Sequence, residues 1–192
     1  MSLPQTPSQT VGPYFAYGLV PTQYGYAFPS LWGPDLAEPS TVGEHITISG
    51  RVFDGQGQPV LDALLEIQQA DAQGQLPETS AQVLRTGFRG FGRMGTGSRP
   101  DHSFVFRTVR PGATQDGQAP HIDVILTLRG VLNHLFTRIY FEDDAAVHAT
   151  DPLLQAIPEA RRPTLMARRD AAGVYRFDIH LQGPHETVFL DV

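Results

Sequence analysis

The chain contains no cysteine, which excludes a disulfide framework and any thiolate metal site. It contains no lysine either, so all 14 basic residues are arginine. Composition bias is the plain reading of that absence. At individual sites, however, the planar guanidinium fork suits carboxylates better than an ammonium does. Positive charge is in deficit, and the net charge of -6 argues against a nucleic-acid-binding surface. No run of about 18 apolar residues occurs, so no membrane span is expected. Residues 1–15 (MSLPQTPSQTVGPYF) lack the basic-then-apolar order of an export signal. A cytoplasmic location is the expectation.

What is present fits one domain. The 192 residues, 41% of them hydrophobic, suffice for a sizeable core. Residues 1–44 are rich in Pro, Gly, Ser and Tyr and show little periodicity, which predicts an extended arm. Its aromatics (Tyr14, Phe15, Tyr17, Tyr24, Tyr26, Phe28 and Trp32) argue for packing on this domain or on a partner, because disordered segments are poor in aromatics.

Residues 45–192 read as an all-β domain. Alternation predicts strands at His45–Phe53, Leu64–Gln68, Ser103–Val109, Ile122–Leu128, Leu135–Phe141, Val174–Leu181 and Thr187–Leu190. Turns fall at Asp54–Pro59 and Asp71–Gly74. Short strands between Gly, Pro and Asp turns suggest a β-sandwich or barrel. The Gly-rich stretch Gly87–Gly97 opens no strand-to-helix unit and reads as a tightly packed loop rather than a phosphate loop. A helical insertion is expected only between Asp151 and Arg169, with Pro152 suited to a first turn.

Strand phase nominates chemistry. Residues two apart share a face, so Ile122, Val124, Leu126 and Leu128 form an apolar set. His121, Asp123, Ile125, Thr127 and Arg129 form the other, and they either line a cleft or make a polar outer face. His121, Asp123 and His134 match the residue types of a non-haem iron site, although seven His in the chain produce such sets by chance.

The segment Arg110–Phe141 (RPGATQDGQAPHIDVILTLRGVLNHLFTRIYF) resembles the core of the intradiol ring-cleaving dioxygenases. The hairpin Gly50–Gln69 is similar to that family's opening hairpin. The segments Thr6–Tyr14, His134-x-x-Thr137-Arg138-x-Tyr140-Phe141, Tyr175–Ile179 and Gly183–Phe189 resemble its iron-free alpha-type chains. The resemblance implies an intradiol-type β-sandwich. It also implies that the family's two ligand tyrosines fall at Leu76 and Thr114, and its two ligand histidines at His121 and Asp123. Three of four ligands are thus changed, which leaves vestigial positions and no metal held by this chain alone. By the same resemblance, Fe(III) sits on a homologous beta chain, the two chains form a hetero-oligomer of alpha–beta protomers, and protocatechuate binds at their interface. The pocket contribution implied for this chain is Thr10, Gly12, Pro13, Tyr14 and Arg129.

Two other readings stay open on residues alone. One is a self-contained metal enzyme at His121, Asp123 and His134. The other is a transthyretin-like binding sandwich, since the pattern Gly50-x-Val52-x-Asp54-x-x-Gly57-x-Pro59-Val60-x-x-Ala63 also suits such modules.

Overall fold

The computed structural model describes residues 4–114 and 117–191, without the Pro13 side chain. Nine strands are formed among these residues: β1 (His45–Phe53), β2 (Leu64–Gln68), β3 (Phe91–Gly95), β4 (Ser103–Val109), β5 (His121–Thr127), β6 (Leu135–Phe141), β7 (Met166–Ala171), β8 (Val174–Arg176) and β9 (Ile179–His180). They follow the order β3-β2-β5-β6-β7-β8-β1-β4, with β9 also paired to β1. Most neighbours are antiparallel, while β6–β7, β1–β8 and β1–β9 are parallel.

Alternation dictates the core. In β1, Ile46, Ile48 and Val52 are buried, and in β5, Ile122, Val124 and Leu126 are. These side chains join Phe104 and Phe106 of β4 and Leu65 and Ile67 of β2 in one cluster, so both halves of the strand path bury their apolar faces together. The strands begin and end at turns that carry their own hydrogen bonds. Asp54 Oδ1 accepts from the Gln56 and Gln58 amides, and Asp71 Oδ1 accepts in the same way from Gln73 and Gln75.

Several expectations are corrected. The arm is not uniformly extended: α1 (Pro13–Leu19) starts at a proline, and a 3-10 turn follows at Pro21–Tyr24. Residues 1–3 of that arm lie outside the described residues. The Gly-rich stretch contains β3, because Phe91–Gly95 completes the backbone ladder of β2. Close packing there is real, since a Cβ on Gly92 would lie 2.5 Å from Leu36 Cδ1. A further helix, α2 (Ser80–Thr86), is closed by a capping box between Thr79 and Gln82.

The expected strand at Val174–Leu181 is broken at Phe177–Asp178 into β8 and β9. Gly50 makes room for that break, since a Cβ there would meet the Phe177 carbonyl. Thr187–Leu190 forms no strand and contributes one bridge, Leu190 to Phe136. The fifth strand begins one residue earlier than its pattern suggests. An unexpected helix, α3 (Ala145–His148), precedes the insertion, which is itself helical only to Leu165, through α4 (Pro152–Ala156) and a 3-10 turn at Glu159–Leu165. Met166–Ala171 then becomes β7, because it bridges β6 and β8. Leu154, Ile157 and Leu165 pack on Tyr140 and Ala119 as a second, smaller core.

Candidate functional site

Two neighbourhoods hold the nominated residues. The first lies where the arm crosses the end of β5. Thr10 Oγ1 accepts from the Gly130 amide at 2.8 Å and donates to the Leu128 carbonyl at 3.4 Å. The arm is thereby fixed to the turn after β5, and α1 then forms one wall of a cavity of about 140 Å³. Gly12, Phe15, Tyr17, Tyr24, Asp62 and Arg129 line it.

Sheet register explains the charged pair at its floor. Leu64 of β2 faces Thr127 of β5, so two residues further out Asp62 faces Arg129. Arg129 Nε donates to Asp62 Oδ2, and this bond raises the guanidinium pKa. Burial, reinforced by Asp62, raises the Tyr24 phenol. Tyr24 in turn packs on Tyr17, with ring centroids 4.5 Å apart.

The cavity gathers Gly12 and Arg129, with Thr10 anchoring the wall. Gly12 has extended backbone, and a Cβ there would meet nothing within 4 Å, so its Cα faces open space. The Tyr14 ring lies outside the lining; it is 82% exposed and stands edge-on to Tyr17 at 5.7 Å. Pro13 opens α1, but its side chain lies outside the described residues. Sequence reading missed Asp62 and the roles of Tyr17 and Tyr24. Extending the β2–β5 register would have found Asp62, because the two strands were both legible.

The second neighbourhood contains the four positions that the family resemblance marks as metal ligands. The turns carrying Leu76 and Thr114 are packed together: the Gly112 amide donates to the Asp71 carbonyl at 2.8 Å, and Gly74 abuts the Ala113 carbonyl. Leu76 has no donor atom and is half exposed. His121 Nδ1 lies 2.7 Å from the Ala119 carbonyl, and its Nε2 lies 3.8 Å from Asp123 Oδ2.

Asp123 is already committed. Arg138 is its cross-strand partner on β6, and Arg138 Nε donates to Asp123 Oδ1 at 2.7 Å. Arg138 also donates to Gln118 Oε1. Burial opposes the guanidinium charge, but hydrogen bonding to Tyr140 and the attraction of Asp123 outweigh it and hold the pKa up. Burial pushes the Tyr140 phenol up to about 12, against the pull of Arg138. Asp151 is fully buried behind Tyr140 and accepts from the Ala119 and Leu154 amides at 2.8 and 2.9 Å.

These residues do not fit a ferric centre of the type the resemblance describes. One position lacks a donor, one is a threonine, and the carboxylate is neutralised by a fixed guanidinium whose charge opposes a second cation. The alternative trio is not gathered either. His121 faces Tyr140 across the ladder, whereas His134 precedes β6 and so lies roughly 20 Å away along the strand. Among the described residues no group of three His, Asp or Glu forms a metal cluster, and no helix is long and apolar enough to cross a membrane.

A family model described as Dioxygenase (Dioxygenase_C) matches residues 34–183. The chain is 53% identical to a protocatechuate 3,4-dioxygenase alpha chain of Burkholderia cepacia, covering 100% of this chain and 99% of that one. It is 42% identical to the alpha chain of Pseudomonas putida, over 98% and 97%. A beta chain of Burkholderia cepacia is 35% identical over 76% of this chain and 68% of its own length. Among solved structures, the dioxygenase domain of a dioxygenase carbohydrate-binding protein fusion from Streptomyces sp. SirexAA-E is similar. It gives a TM-score of 0.62 at 27% identity, covering 95% of this chain and 100% of that one.

Proposed function

As the chain belongs to the intradiol dioxygenase family, we propose that it is a metal-free alpha-type subunit of a complex that cleaves protocatechuate. The complex adds O2 between the two hydroxyl-bearing carbons and yields 3-carboxy-cis,cis-muconate. Fe(III) is held by a homologous beta chain, and this chain is inactive without it. The assembly is a cytoplasmic hetero-oligomer, and the fold is the β-sandwich of the family with its arm at the subunit boundary.

The observation that carries the reading is the Asp123–Arg138 bond. It puts an internal cation beside the positions where the resemblance implies metal ligands, while the rest of the fold is kept. The arm cavity supports the second half of the proposal. Gly12 borders open space, and among the described residues Arg129 bonds Asp62 through Nε alone, which leaves its Nη donors for a substrate carboxylate. Thr10, Gly12, Pro13, Tyr14 and Arg129 are the proposed contribution, joined by Tyr17 and Tyr24 as lining.

Metal analysis, visible absorption and O2 uptake with protocatechuate test the proposal on the chain purified alone and after co-expression with a beta-type partner. The expected result is no iron and no turnover alone, then a coloured, iron-bearing, active complex. Stoichiometric iron and turnover from this chain alone would overturn it.

A further inference from the structure

A second cleft, with no lining residue from the arm, lies between the β7–β8 ladder and the C-terminal segment, with a volume of about 450 Å³. Arg161, Arg168, Arg176, His180 and His185 line it, against one carboxylate, Asp178. Three guanidinium charges against one carboxylate leave a formal surplus of two, in a chain whose net charge is -6.

The distribution of partners sharpens this excess. Arg176 Nε donates to Asp178 Oδ2 at 3.0 Å, and Asp178 Oδ1 also accepts the Arg51 amide at 3.0 Å. Its acceptor capacity is therefore largely spent. Arg161 Nη2 donates to the Glu186 carbonyl at 2.9 Å, a neutral acceptor that leaves its charge unbalanced. Among the described residues Arg168 forms no ion pair. Yet Arg168 and Arg176 are direct cross-strand partners. Like charges placed opposite each other in an antiparallel pair are destabilising, and an anion between them reverses the sign of that term. The His180 ring is held by stacking on Phe53 at 5.1 Å, with His185 6.3 Å away, so the far wall also presents N–H donors.

We propose that this cleft binds a small, multiply charged oxyanion, a phosphate or a polycarboxylate, with Arg161, Arg168 and Arg176 as its principal ligands. Guanidinium forks match both oxyanion types, because two parallel N–H groups meet two oxygens. The site is separate from the arm cavity and from the Asp123–Arg138 pair, and it does not depend on the function proposed above.

Calorimetric titration of the full chain, in the assembly in which it purifies, tests this with inorganic phosphate and with citrate. Sodium chloride at matched ionic strength provides the baseline. Saturable binding of either anion above that baseline is expected. Phosphate alone, citrate alone or both would assign the class. Arg168→Gln should weaken binding by about tenfold or more, as for loss of one charge-assisted donor group. Arg107→Gln, which removes an exposed arginine elsewhere, should leave it unchanged. Circular dichroism establishes that both variants are folded. No saturable binding of either anion, wild-type affinity in Arg168→Gln, or equal weakening in Arg107→Gln would each overturn the proposal.

Discussion

Arg138 of β6 stands directly across from Asp123 of β5 and donates to its carboxylate at 2.7 Å. The pair is unequal in its surroundings, because the Arg138 side chain is 18% exposed and the Asp123 side chain 49%. Arg138 is thus held by its own strand, by Gln118 and by Tyr140, while Asp123 retains access to water. Loss of Arg138 should therefore hurt more than loss of Asp123. A double-mutant cycle of Arg138→Leu and Asp123→Asn, followed by urea denaturation, should return a coupling of about 1 kcal/mol, reduced from the buried-pair range by that exposure. A coupling near zero would mean that the pair is incidental.

Acid should act through another pair. Burial alone would raise Asp143, but hydrogen bonds from Arg110 at 2.8 Å and Tyr175 at 3.0 Å prevail and hold it below its ordinary value. Arg110 also lies against the Phe141 and Tyr175 rings, 4.4 and 5.3 Å from their centroids. A lowered folded pKa means that the unfolded chain takes up the proton first as pH falls. The stabilisation from Asp143 is complete well above the ordinary carboxylate value of 3.8 and is lost as pH drops through the folded value. Asp143→Asn should cost about 1 kcal/mol at neutral pH, discounted for partial exposure, and progressively less as pH falls below the ordinary carboxylate value. Wild-type and variant stability curves of equal slope below pH 4 would contradict this.

Arg129 should matter for substrate rather than for folding. Its side chain is largely exposed, and its bond to Asp62 lies at the surface end of the β2–β5 ladder. In the co-expressed complex, Arg129→Gln should raise KM for protocatechuate by about tenfold with an unchanged thermal midpoint. The effect should shrink for catechol, which lacks the carboxylate that the guanidinium is proposed to hold. Equal effects on both substrates would assign Arg129 to packing alone.

The strands were legible wherever one face is buried. Alternation in His45–Phe53 marks its boundaries because apolar side chains two apart must enter one core. The residue identities at Leu76, Thr114 and Asp123, the positions that the family resemblance marks as ligands, are likewise read from the sequence alone. The capping box at Thr79 and Gln82 went unread, although its Thr-x-x-Gln signal is local.

Residue order could not settle the segments whose partners are distant. Phe91–Gly95 becomes a strand because β2 offers it a ladder, and Met166–Ala171 does so because β6 and β8 lie on either side; neither alternates enough to announce itself. The same holds for sites. Residue types alone allowed His121, Asp123 and His134 to be joined, but the β5–β6 register separates His134 from the others and hands Asp123 to Arg138. Register likewise set Asp62 against Arg129, and Arg168 against Arg176. Local pattern is enough to choose strand, turn and inward face, because those depend on neighbours within a few residues. Which charges meet depends on pairings between strands far apart in the chain, and only the paired backbone ladders decide them.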